Sequence, residues 1–87
     1  MKYRSRTEIV CEILETAKGI NGVTKTKIMY SAFLSFAQLK EYLATMLEGG
    51  VLEYMADRNV YRTTKKGIAM LESCQAVNKM LGVEANQ

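Results

Sequence analysis

The chain has 87 residues, 48% hydrophobic and 24% charged, a composition that describes one domain with a single modest core that gains from oligomerisation. Histidine is absent and the two cysteines, Cys11 and Cys74, stand far apart. Together these exclude the usual zinc ligand sets and the Ser-His or Cys-His nucleophile pairs. The net charge of +3 permits a polyanionic partner without demanding one.

No window approaches the ~18 consecutive apolar residues of a membrane span. The opening "MKYRSRTE" leads into a charged amphipathic run and not a secretory apolar one. The expectation is a cytoplasmic, nucleoid-associated protein that is not an enzyme and carries no cofactor and no metal.

Ser5 and Glu8 have the spacing of a capping box, in which two side chains satisfy orphaned backbone N–H groups. Ile9, Val10, Ile13, Leu14 and Ala17 follow with helical spacing, and Lys18-Gly19 supplies a stop, so the first helix is predicted from about Arg6 to Lys18. Glu8, Glu12 and Glu15 mark its solvated stripe. "GINGV" is a turn, with Val23 a single-residue strand. Thr24 caps a second helix over about Lys25 to Ala32, with Ile28, Met29 and Ala32 inward.

Ser35 and Gln38 form another capping-box pattern and open a third helix. Its predicted inward stripe is Phe36, Leu39, Leu43, Met46 and Leu47. Gly49-Gly50 accepts the positive φ angles that end a helix. Val51, Leu52 and Tyr54 form a strand, "MADRN" a turn, and Val60, Tyr61 and Thr63 the returning strand. Thr64 caps a last helix over about Lys65 to Leu81, in which the early Gly67 signals close packing.

The order is helix, short strand, helix, helix, hairpin, helix. A two-stranded hairpin is marginal unless it lies on a helical core. The predicted fold is mainly α with a small β-hairpin (α-β-α-α-β-β-α), a winged helix-turn-helix over residues 1–82 with a frayed tail at 83–87.

Three segments carry a resemblance: "RSRTEIVCEILETA", "TKTKIMYSAFLSFAQLKEYLATMLEGGVLEY" and "YRTTKKGIAMLE". They resemble the small archaeal winged-helix transcription regulators, the group that includes the Sso10a-like DNA-binding proteins. Tyr61, Thr63, Thr64, Lys66 and Gly67 match that group's signature between wing and last helix. The resemblance implies binding of double-stranded DNA and dimerisation through the last helix. The final helix here is short, so a compact dimer contact is expected in place of a long coiled-coil rod.

In a helix-turn-helix the second helix of the pair enters the major groove and presents its N-terminal residues to base edges. Ser35, Ala37, Gln38 and Lys40 are the candidates, with Glu41 beside them. Gln38 suits adenine, Lys40 suits guanine or a phosphate, and Ala37 suits a thymine methyl. The bland alternative is that Ser35 and Gln38 only cap the helix while Lys40 and Glu41 are solvated.

Lys25 and Lys27 suit phosphate contact at the start of the second helix. Arg58 and Arg62 flank the wing and are placed to meet a minor groove. Arg4 and Arg6 extend the basic face, and Lys65 and Lys66 rank lowest. Tyr30, Tyr42, Tyr54, Tyr61, Phe33 and Phe36 are expected mostly at inward or turn positions, leaving no aromatic row for stacking on single strands.

On the last helix Ile68 and Leu71 face the domain, while Met70, Cys74, Val77 and Leu81 form a heptad-like seam for a homodimer. The alternative is one wide stripe facing one core. Both cysteines are expected to be reduced and to act as small apolar residues, the alternative being a disulfide between the two Cys74 residues across a dimer axis, as hyperthermophile interiors allow. A winged helix used only for protein–protein assembly is the competing functional reading, since fold alone does not settle function.

Overall fold

The computed structural model describes residues 4–81, with side chains through residue 74. Its elements are α1 (Arg6–Thr16), α2 (Lys25–Ser31), α3 (Phe36–Glu48), β1 (Leu52–Met55), β2 (Val60–Thr63) and α4 (Lys65–Leu81). Val23 forms an isolated antiparallel bridge with Tyr61: its N–H donates to the Tyr61 carbonyl at 2.8 Å, and its carbonyl accepts from Tyr61 N–H at 2.7 Å. The expected order of elements is therefore the observed one.

Each helix begins where its cap chemistry places it. Ser5 Oγ accepts from Glu8 N–H at 3.1 Å, and Glu8 Oε1 accepts from Ser5 N–H at 2.9 Å. Thr24 Oγ1 accepts from Lys27 N–H at 3.2 Å. Thr64 caps α4 by accepting from Gly67 N–H at 3.1 Å while its own hydroxyl donates to Gly50 O at 2.6 Å.

Two helices end in the same way, with a left-handed residue just past the cap. After α3, Gly50 takes φ +77°, its N–H bonds Leu47 O, and Val51 N–H bonds Met46 O. After α2 the same pair of bonds runs from Phe33 to Tyr30 O and from Leu34 to Met29 O, with Phe33 itself at φ +55°. A bulky residue is rarely left-handed, because its Cβ crowds the neighbouring carbonyl. Leu34 is buried beyond it, so Phe33 is turned outward, 81% exposed.

The core gathers one face from all four helices and from β1: Ile9, Ile13 and Leu14 from α1, Ile28 from α2, Leu39, Tyr42, Leu43 and Met46 from α3, Leu52 from β1 and Leu71 from α4, with Tyr61 of β2 packed against it. At the C-terminus of α1 two carbonyls left without helical partners are satisfied by one residue of β2. Thr63 Oγ1 donates to Leu14 O at 2.8 Å and Thr63 N–H to Ala17 O at 2.9 Å. The hairpin is thereby fastened to the helical body, in the register Leu52↔Thr63 to Met55↔Val60. Gly67 is packed so closely that a β-carbon there would collide with Val51 O and Thr63 Cγ2.

Three expectations are corrected. Cys11 and Cys74 are not reduced: they form a disulfide within the chain, Cα atoms 6.4 Å apart, because α1 and α4 pack side by side. The inward stripe of α3 is rotated from the one predicted. Tyr42 is buried, whereas Phe36 is 57% and Leu47 37% exposed, because these two lie on one edge of a helix whose buried centre runs along Leu39, Tyr42, Leu43 and Met46. The aromatic residues are not mostly packed in the core: Phe33 does lie in a turn, but Tyr30, Phe36 and Tyr54 are exposed on α2, α3 and β1.

Candidate nucleic-acid interface

The helix-turn-helix unit consists of α2, the turn Ala32–Leu34 and α3, and its outward surface starts from the Ser35 cap. Ser35 Oγ accepts from Gln38 N–H at 3.2 Å, and Gln38 Oε1 accepts from Ser35 N–H at 3.0 Å. The cap thus orients the amide of Gln38 toward the helix start, and a bidentate approach to adenine competes with it. Ser35, Phe36, Ala37, Gln38, Lys40 and Glu41 are all exposed.

The first residue of α3 organises the cations around it. Lys25 Nζ, from the first turn of α2, lies 5.8 Å from the centroid of the Phe36 ring, and Lys40 Nζ lies 5.7 Å from it. The ring's negative face attracts both ammonium groups. Two lysines from different helices are therefore gathered at the start of α3. Lys27 stands one residue beyond Thr26 on the same exposed turn of α2. Among the described residues, Lys25, Lys27, Lys40 and Arg58 take part in no ion pair.

The remaining candidates are distributed differently. Arg6 stacks over Tyr42 of α3, its guanidinium carbon 4.9 Å from the ring centroid. Arg4 is occupied within the chain: it pairs with Glu12, donates to the Ala32 carbonyl and lies over Phe33, fastening the start of α1 to the α2–α3 turn. Arg62 is likewise engaged, with Glu53 Oε2 at 2.7–2.8 Å and Ile20 O at 3.2 Å. Lys66 Nζ donates to Gly49 O at 2.8 Å, closing the end of α3. Lys65 is exposed.

At the wing, Arg58 is exposed in the turn and its closest polar partner is the soft Met55 Sδ at 3.8 Å. The turn is set by Arg58 N–H bonding Met55 O and by Asn59 in the left-handed region at φ +56°. Tyr54 OH donates to Asn59 Oδ1 at 2.5 Å, and the Tyr54 and Tyr61 rings pack with centroids 4.9 Å apart and planes tilted by 45°. Burial, reinforced by Tyr54, raises the Tyr61 phenol above its ordinary pKa.

Sequence reasoning missed the exposed aromatics. The available signals were positional: Phe36 immediately follows an N-cap, where a first-turn side chain overhangs solvent, and Phe33 precedes the Leu34 that fills the buried position after a helix end. On α4, Met70 is exposed and Cys74 is bonded to α1, while the side chains of Val77 and Leu81 lie outside those described. Among the described residues, no three metal-binding side chains come together and no helix is long and apolar enough to cross a membrane.

A search of curated proteins finds no match. Among solved structures the chain is similar to the crystal structure of Sso10a-2, a DNA-binding protein from Sulfolobus solfataricus. The two superpose with a TM-score of 0.74 over 95% of this chain and 87% of that one, at 22% identity. The winged helix-turn-helix family model matches residues 3–82. With α2 and α3 forming the helix pair and β1–β2 the wing, this chain belongs to the winged helix-turn-helix family.

Proposed function

We propose that this protein binds double-stranded DNA and regulates transcription as a homodimer, with α3 in the major groove and the β1–β2 wing at the adjacent backbone or minor groove. The observation that carries the reading is the set of cations that take part in no ion pair among the described residues, at the start of α2, the first turns of α3 and the wing tip: Lys25, Lys27, Lys40 and Arg58. A cation held in an internal ion pair has no charge to spare for a phosphate, whereas these four do. The description of Sso10a-2 as a DNA-binding protein supports the same reading. No catalytic role is assigned to any side chain.

The proposed dimer contact is on α4. Met70 lies on an open groove between α1 and α4, of about 630 Å³, that also includes Thr7, Cys11 and Cys74. Because Cys74 is bonded to Cys11, it contributes to such a contact as part of a disulfide and not as a free thiol. Met70, Val77 and Leu81 carry the rest of the proposed seam. A cytoplasmic location accords with a stable internal disulfide only where such bonds persist inside cells, as in hyperthermophiles.

The test is fluorescence anisotropy of the full chain on a long mixed-sequence duplex across a range of salt. The expected slope of log affinity against log salt is near −4 for four neutralised phosphates per monomer, and about twice that for a dimer. Absence of binding at ~50 mM salt, where phosphate contacts are least screened, would overturn the reading. Light scattering at ~100 μM is expected to give a dimer mass, and a monomer at that concentration would overturn the dimer.

A further inference from the structure

We infer that Phe36 is a specificity-determining residue that reads the C5-methyl group of thymine from the start of α3. The inference rests on the DNA-binding reading above and adds to it the base feature recognised. Phe36 is the first residue of the helix that would enter the groove, yet it is 57% exposed and takes no part in the core. An apolar ring of this size left in water gains by being covered, and in the major groove the apolar feature on a base edge is the thymine methyl.

Three further observations converge on the ring. Two acceptors beside it are engaged in the cap, Gln38 Oε1 with Ser35 N–H and Ser35 Oγ with Gln38 N–H, so Gln38 cannot present both its oxygen and its nitrogen to adenine without leaving the cap, whereas the Phe36 ring is free of it. Ala37, the next residue, is exposed and also apolar. Lys25 and Lys40 lie within 6 Å of the ring centroid, from α2 and α3 respectively. Phosphates attracted to those two ammonium groups would bring a base edge, and not the solvent, against Phe36.

The test compares alternating poly(dA-dT) with alternating poly(dA-dU), two duplexes with the same charge and the same hydrogen-bonding edges that differ by the C5-methyl. The wild-type chain is expected to bind the thymine polymer more tightly, by about fourfold for each methyl covered. Phe36→Ala should abolish that preference, whereas Lys27→Ala should weaken both polymers equally and preserve the preference. Phe36 lies outside the core, so a thermal melt close to wild type is expected and separates recognition from folding.

Equal wild-type affinity for the two polymers would overturn the inference and leave DNA binding standing. So would a preference that survives Phe36→Ala, since it would then belong to the DNA. Failure to bind either polymer or the mixed-sequence duplex at ~50 mM salt would overturn the inference together with the DNA-binding reading.

Discussion

Cys11 of α1 and Cys74 of α4, 63 positions apart in the chain, are joined in a disulfide with their Cα atoms 6.4 Å apart. The bond fixes the middle of α4 to α1, and both cysteines line the groove where Met70 lies. A crosslink that closes so long a loop removes conformational freedom from the unfolded chain, a contribution of about 3–5 kcal/mol. Reduction, or replacement of both cysteines by serine, is expected to lower the melting temperature substantially. Thermal melts with and without a dithiol reductant check this, and a native-chain mass showing both thiols free would contradict the bond.

Gly67 tests the fit between α4 and the strand pair. A β-carbon at this position would meet the Val51 carbonyl and the Thr63 methyl, both part of the packed junction. Gly67→Ala is therefore expected to destabilise the fold by about 1–3 kcal/mol, despite alanine's better helix propensity. The midpoint of urea unfolding reads the difference.

Thr63 tests the attachment of the wing. Its hydroxyl is buried and donates to Leu14 O at 2.8 Å, where α1 has run out of helical partners. Thr63→Val keeps the shape and leaves that carbonyl without its partner, for an expected loss of about 1–3 kcal/mol. Equal stability of the two chains in urea would show that the bond contributes nothing.

The cations divide into two groups with different expected readouts. Substituting Lys40, Lys27 or Arg58 by alanine should weaken DNA binding and reduce the magnitude of the salt slope by about one per residue. Arg62→Ala removes a partner of Glu53 and Ile20 O, and Arg4→Ala a partner of Glu12 and Ala32 O, so both should register in thermal stability more than in the slope. Anisotropy titrations beside thermal melts separate the two groups.

Tyr61 sets an alkaline limit. Its folded-state pKa is raised by burial and by Tyr54, so the neutral phenol is favoured by folding. That contribution is fully present below the unfolded value of 10.0 and is lost as pH rises through the higher folded value. Tyr61→Phe, which cannot ionise, should flatten the fall in stability that begins at about pH 10.0. Urea midpoints measured at neutral and alkaline pH check it.

Element order was legible in the linear pattern because caps, turns and glycine stops are local chemistry. Ser5 with Glu8, Thr24, Ser35 with Gln38, Gly50 and Thr64 act within a few residues of themselves, and each is found at the boundary its residue type demands. The resemblance to the Sso10a-like group added the fold's name and the expectation of DNA, resting on the same segments.

Tertiary packing decided what periodicity left open. The helical repeat puts Phe36 and Leu47 in the inward stripe of α3, but the position of its neighbours chose Tyr42 for the core and left Phe36 outside. The same holds for charge: Arg4 and Arg62 look as basic in sequence as Lys40 and Arg58, yet the folded chain brings Glu12 and Glu53 to the first two. Cys11 and Cys74 show the largest gap between the two levels. Their spacing in sequence carries no sign of a bond, because the contact that makes it exists only once α1 and α4 lie side by side.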